Sequence, residues 1–279
     1  MTEIFIKKAT GEEEVFDPNK LKHSLSRAGA TQDIIDEIVS EIEQTLVSGM
    51  TTHAIYSRAF KILKEKNKDM AARYSLRRAL LSFGPSGFPF ESYLAELFKK
   101  DGYTATTGQT LKGKCVSHEI DVVAHKGDEL ILVEAKFHNR HGFKSDVRTS
   151  LYMKARFDDL SSELFDNRNM TKGMIITNTK FTHEAIAYAE CVGIALMSWS
   201  YPAENNLQDW IERTGLHPIT CLTTLSQKNK EALLEKSVVL CTDVQNNATA
   251  LNEIGISGDQ ATSVIEEANK VCTLPLPKS

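Results

Sequence analysis

The segments HEIDVVAH (118–125) and LILVEAKF (130–137) constrain this chain more than any other part of its 279 residues. Both are rich in β-formers and bounded by turn chemistry, so both are expected to be strands, and Lys126-Gly127-Asp128 between them lets the two pair. Alternate residues of a strand share a face. Glu119 and Asp121 therefore lie together, opposite Ile120 and Val122; Glu134 and Lys136 lie together, opposite Val133 and Ala135. The pairing allows Asp121 and Glu134 to converge.

The rest of the chain divides around this pair. Residues 2–8 and 12–16 suggest a short hairpin about Gly11, and Asp17-Pro18 is the N-cap and first position of a helix that stops at Gly29. Further helices are expected over 31–47, from 51–52 onward, and over 69–83, after which GPSGFP (84–89) marks a domain boundary. Phe90, Leu94, Leu97 and Phe98 form one helical apolar face. A strand near Tyr103 leads into a loop rich in Gly, Thr and Lys. A helix over 146–165, a strand over 173–179, a helix over 181–193 and a strand over 194–199 follow. Strands interleaved with helices give an α/β sheet. From about 205 the chain is helical and ends in a loose tail, LPLPKS.

Composition excludes several classes. With 41% apolar and 25% charged residues the chain is an ordinary globular sequence. A net charge of -4 gives no global pull toward nucleic acid, so such contact needs a local basic surface. Five scattered cysteines (Cys115, Cys191, Cys221, Cys241, Cys272) form no CxxC pair. They argue against a disulfide framework or thiolate zinc site and suit reduced core residues of a cytoplasmic protein. The N-terminus is too polar for a signal peptide, and no apolar run is long enough to span a membrane.

Two carboxylates, a main-chain oxygen and water suit Mg²⁺ or Mn²⁺. Beside them Lys136 can orient a water or offset charge on phosphorus. The alternative is a polar, solvated strand face. The stretch 87–139 resembles the PD-(D/E)xK nuclease superfamily, in particular Mrr-like restriction endonucleases and Holliday-junction resolvases. It carries Glu91 early in a helix, Gly102-Tyr103, Asp121 and Glu134-Ala135-Lys136, with Ile120 where proline can precede the Asp. The resemblance implies a restriction-endonuclease-like mixed sheet flanked by helices. It makes Glu91, Asp121, Glu134 and Lys136 catalytic, with Asp121, Glu134 and Glu91 on the metal. His118 and His138 flank the cluster and are as readily solvated strand ends as phosphate or metal groups. Basic residues follow it (Arg140, Lys144, Arg148, Lys154, Arg156), and Lys144, Arg148 and Lys154 are the candidate DNA contacts.

The N-terminal stretch IKKATGEEEVFDPNKLKHSLSRAGA, with GMTT and AARYSLRRALLSFGPSG, resembles the ATP-cone over residues 3–87. The resemblance implies a small α+β domain, a hairpin and four helices, that binds ATP or dATP through Lys7, Lys8 and Lys20. No P-loop is present, so hydrolysis is not expected. The stretch LNEIGISGDQATSVIEEA (251–268) resembles half of a helix-hairpin-helix, with Gly255-Ile256-Ser257 as its turn and Ala261 after it; ordinary helix packing explains it equally well. The expected organisation is an ATP-cone at 1–87, a nuclease domain at 88–204 and a helical C-terminal region at 205–279. The expected protein is a homo-oligomeric, metal-dependent DNA endonuclease regulated by ATP or dATP. A non-catalytic, nucleotide-responsive DNA-binding regulator and a structure-specific resolvase are the alternatives.

Overall fold

Gly11 takes a φ of 88°, a left-handed value that suits glycine, and closes β1 (Phe5–Lys7) onto β2 (Glu13–Val15). The computed structural model describes residues 3–246 and 248–273. In α1 (Pro18–Arg27) the Asp17 carboxylate accepts the Asn19 amide at 2.9 Å and proline fills the first turn. Next come α2 (Gln32–Thr45) and α3 (Thr52–Lys66), the latter capped by the Thr51 hydroxyl. The stretch 69–83, expected as one helix, comes in two pieces, α4 (Lys68–Tyr74) and α5 (Leu76–Leu81). Ser75 divides them, and its hydroxyl donates to the Ala72 carbonyl at 2.7 Å in competition with the helical ladder. Ile6, Leu25, Ile38, Ile42, Leu63 and Ala71 meet in one buried cluster, so the hairpin and α1–α4 share a core.

α6 (Phe88–Lys100) then leads to β3 (Thr104–Lys112), β4 (Ser117–Lys126) and β5 (Glu129–Lys136). β3 runs well past Tyr103, through residues expected as a loop. Its threonines are β-formers, and the strand pairs with β4 from Thr104 to Lys112. Next are β6 (Lys144–Ser145), α7 (Val147–Ser161), β7 (Leu164–Phe165), β8 (Arg168–Asn169), β9 (Lys172–Thr177) and β10 (Lys180–Phe181). α8 (His183–Val192), β11 (Ala195–Met197) and α9 (Leu207–Thr214) follow. α7 stops short of residue 165 because Asp166 and Asn167, at φ 49° and 61°, turn the chain into the small β7–β8 hairpin.

The central sheet has the order β11-β9-β5-β4-β3; β3, β4 and β5 are antiparallel, and β5, β9 and β11 parallel. α7 and α8 bury Met153, Phe157, Leu160, Ala185 and Ala189 against Leu130, Leu132 and Ile175. A Cβ on Gly173 would lie 2.5 Å from the Phe157 ring, so only glycine lets α7 approach β9 this closely.

The last helices are α10 (Gln227–Glu235), α11 (Cys241–Asn246), α12 (Ala248–Glu253) and α13 (Gly258–Thr273), preceded by a 3-10 turn at Ile219–Cys221. They belong to one compact unit with the N-terminal domain, Met1–Ala79 with His217–Ser279; Leu80–Leu216 is the other unit. Within the first, the Thr220 hydroxyl donates to the Ala79 carbonyl at 2.8 Å and α13 packs on α4 and α11. Gly255-Ile256-Ser257 joins α12 to α13 with Ile256 buried. Cys221 and Cys241 are buried as expected, but Cys115 and Cys191 are exposed, not core, because each sits at a turn or on an outer helix face. Among the described residues no helix is long and apolar enough to cross a membrane.

Candidate active site

β4 and β5 pair as far as Val122 with Val133; the next opposed residues are Asp121 and Glu134. Here the Ala135 amide donates at 2.7 Å to the Asp121 side chain rather than to a main-chain oxygen. The strands part at this point, and the two carboxylates stand in the gap. Glu134 is buried, and on it converge the Lys136 ammonium and, at 3.0 Å, the Arg156 guanidinium of α7. Arg156 also donates to the Glu119 carbonyl. Sequence reasoning placed Arg156 in a surface basic run. The structure turns it inward, because its place on α7 faces Glu134.

Glu91 lies in the first turn of α6. Burial, with Asp121, Glu119 and Glu134 nearby, pushes its carboxyl up to about 7. Burial and then Glu134 push Asp121 up to about 6, against the opposing Ala135 amide. The site is thus a set of oxygen donors short of positive charge. Among the described residues no three His, Cys, Asp or Glu side chains are arranged to hold a metal ion by themselves. The donors fit a hard divalent cation held by two carboxylates, with main-chain oxygen and water completing its shell.

The flanking histidines have structural partners. His118 Nε2 lies 2.8 Å from Asp159, which also accepts the Cys115 and Val116 amides, so it ties the β3–β4 turn to α7. His138 is fixed by Asn178, which bonds both its amide and its carbonyl, and stacks on Phe143 at 5.2 Å; burial lowers its pKa. Phe137, His138, Arg140 and Phe143 line a pocket of about 270 Å³ that the motif reading missed.

Of the candidate DNA contacts, Lys144 is exposed on β6, Arg148 is exposed and bonded to Asp146, and Lys154 is paired with Asp158. In the N-terminal domain, Lys8 and Lys20 both reach Glu14, at 3.0 and 3.1 Å. Lys7 is exposed on β1, its amide bonded to Met50. Sequence reasoning did not single out Tyr56, Tyr74 and Arg78. The two rings stack at 4.9 Å, and the Arg78 guanidinium lies 3.8 Å from the Tyr56 centroid. Two of the three lie in the AARYSLRR stretch.

Three families match the chain: ATP cone domain at residues 4–81, restriction endonuclease at 85–200, and AF1548-like, C-terminal at 217–272. An uncharacterized protein of Archaeoglobus fulgidus is 38% identical over 179 residues, 64% of this chain and 99% of that protein. The crystal structure of a protein of unknown function, AF1548, is 36% identical, with a TM-score of 0.56 over 67% of this chain and 98% of that one. A structure of protein VC1899 from Vibrio cholerae is 13% identical, with a TM-score of 0.29, too slight a likeness to bear on the fold. The chain belongs to the AF1548-like family, and this chain joins an ATP-cone domain to a restriction-endonuclease domain of the Mrr type.

Proposed function

We propose that this protein is a metal-dependent DNA endonuclease whose activity is biased by ATP or dATP on the cone. The observation that carries the reading is the opposition of Asp121 and Glu134 where β4 and β5 part, with Lys136 on the same carboxylate. A Mg²⁺ or Mn²⁺ ion held by Asp121 and Glu134, with Glu91 near, would supply a Lewis acid and lower the pKa of water. Arg156 holds the Glu134 carboxylate in place from α7. The Lys136 ammonium, partly exposed beside Glu134, would turn to the phosphate, orient water and offset charge there. Glu91, whose carboxyl is raised by burial and neighbouring carboxylates in the absence of a cation, could take or return a proton there.

Lys144, Arg148 and Lys154 would track the DNA backbone, the latter two exchanging Asp146 and Asp158 for phosphates. Alanine at all three should lower the log–log salt slope of duplex binding by roughly 0.9 for each phosphate left without its cation. On the cone, Lys7, Lys8 and Lys20 would meet nucleotide phosphates. A nucleotide can bias the enzyme only through different affinities for its two states. The test is cleavage of linear duplex, single strands and four-way junctions with and without divalent metal, ATP and dATP. No metal-dependent product on any substrate would leave a DNA-binding regulator, and cleavage confined to junctions would make it a resolvase.

A further inference from the structure

Four side chains with no part in the site above meet at one place in the unit of the N-terminal and C-terminal segments. They are Cys221 on the 3-10 turn, Cys241 at the start of α11, Cys272 in the last turn of α13, and His217. The Cys221 and Cys241 sulfurs are 3.7 Å apart, and the Cys241 thiol also donates to the Pro218 carbonyl at 3.4 Å. The Cys241 amide donates to the His217 carbonyl at 2.8 Å, which fixes the start of α11 against the 217–221 segment. Cys272, in the last turn of the helix that packs on α11, stands near enough to Cys241 and His217 for both to act on its thiol. Cys221, Cys241 and His217 are buried, whereas Cys272 is partly open to solvent.

The thiols are chemically unequal. Bonds from Cys241 and then His217 draw the Cys272 thiol down to about 5, while burial holds Cys241 well above its ordinary range. Lys230, largely desolvated, stands near Cys221 and Cys241. A partly solvent-reachable thiol of lowered pKa beside a buried thiol, itself 3.7 Å from another, has the layout of a nucleophile followed by resolving groups.

We propose that Cys272, Cys241 and Cys221 form a thiol–disulfide relay oxidised by hydroperoxides. The Cys272 thiolate attacks the peroxide oxygen and the O–O bond breaks. The peroxide leaves reduced, as alcohol or water after taking up a proton, and Cys272 becomes a sulfenic acid. Cys241 sulfur attacks Cys272 sulfur; the S–O bond breaks, and the hydroxide takes the Cys241 proton and departs as water. Cys221 sulfur can then attack Cys241 sulfur, moving the disulfide to the buried pair and returning Cys272 as a thiol with the Cys221 proton. Because α13 packs on both α11 and α4, the first disulfide staples the end of α13 to α11 beneath the N-terminal domain.

The test uses the full chain with Cys115→Ser and Cys191→Ser, which removes the two exposed thiols. After treatment with hydrogen peroxide and alkylation in denaturant, two thiols per chain should be lost, with Cys241–Cys272 or Cys221–Cys241 linked within one chain and a raised Tm. Cys272→Ser should slow the loss at least about tenfold. In Cys241→Ser, a dimedone adduct should form on Cys272. Three free thiols after oxidation of folded protein, linkage only between chains, or unchanged kinetics in Cys272→Ser would each overturn the relay. So would thiols that react only after chelator strips a bound metal. Cleavage is not read out, so these outcomes are independent of the nuclease assignment.

Discussion

Two clusters in this chain share one plan, a carboxylate held by two cations, and differ in where they stand. Glu134 is met by Lys136 and Arg156, with the Glu134 and Arg156 side chains only 6% and 13% exposed. Glu14 is met by Lys8 and Lys20, all three reaching solvent at 26%, 37% and 65%. In the first, water cannot replace Arg156 on Glu134, so that side is held at an electrostatic cost, while Lys136, 35% exposed, stays exchangeable. In the second, each ion pair is weak and exchangeable, which suits the proposed exchange of a glutamate for a phosphate. The difference separates a carboxylate anchored on one buried side by Arg156 from one whose partners are all exchangeable.

The sharpest way to break the comparison is at the chemistry. Asp121→Asn, Glu134→Gln and Lys136→Ala should each lower the cleavage rate by on the order of 10²–10³ or more, a loss typical of removing a charge-stabilising group. Circular dichroism should stay unchanged. Full activity in any two would remove the cluster from the active site.

Stability should show the contrast next. Arg156→Leu leaves Glu134 buried beside Lys136 alone, and loss of one partner of a buried pair costs about 3–5 kcal/mol. Lys20→Leu should leave the urea midpoint where it was. Equal destabilisation by both would mean that burial does not distinguish the clusters.

These clusters were legible from sequence to different depths. Strand alternation placed Asp121, Glu134 and Lys136 together, because a period of two and a short turn leave little freedom. Arg156 was misplaced because its role depends on how α7 lies on the sheet, set by the Gly173–Phe157 contact far along the chain. Lys8 and Lys20 could be named, but not their common partner Glu14, which a two-stranded register brings beside Lys8. The packing of α13 on α4 was beyond reach of local pattern, since residues some two hundred apart leave no periodicity to read. The cysteine cluster escaped for the same reason: its spacings match no short motif.

The exposed cluster makes a prediction of its own. ATP or dATP at a hundredfold excess over its dissociation constant should stabilise the protein by about 2.7 kcal/mol through mass action, without hydrolysis. Lys8→Ala with Lys20→Ala should abolish both the calorimetric heat and the shift. Nucleotide that binds equally well to this variant would place the phosphates elsewhere, with Arg78 and Lys7 the next candidates.

The smallest effect follows from protons, and its sign differs between the clusters. In the metal-free fold Glu91 and Asp121 hold protons up to about 7 and about 6, against ordinary values of 4.5 and 3.8. As pH rises from about 4 to about 7, the unfolded chain gives up these protons before the folded one does. The folded state then binds more protons, so these groups make stability fall with rising pH and level off above neutrality. Glu14 works the other way: Lys8 and Lys20 hold its pKa below the ordinary value against a burial contribution that raises it, so its share is lost as pH falls. Denaturant melts of metal-free protein at about pH 5 and about pH 8 should therefore differ less in Glu91→Gln than in the parent, whereas Glu14→Gln should leave that difference alone and lessen only the loss of stability below about pH 5. Mg²⁺ at the higher pH should restore the parent and not Asp121→Asn, because a cation relieves repulsion only where the carboxylates can hold it. A Glu91→Gln variant with the parent's full pH dependence would show that solvent already screens this carboxyl, and that the site's charge deficit rests on Asp121 alone.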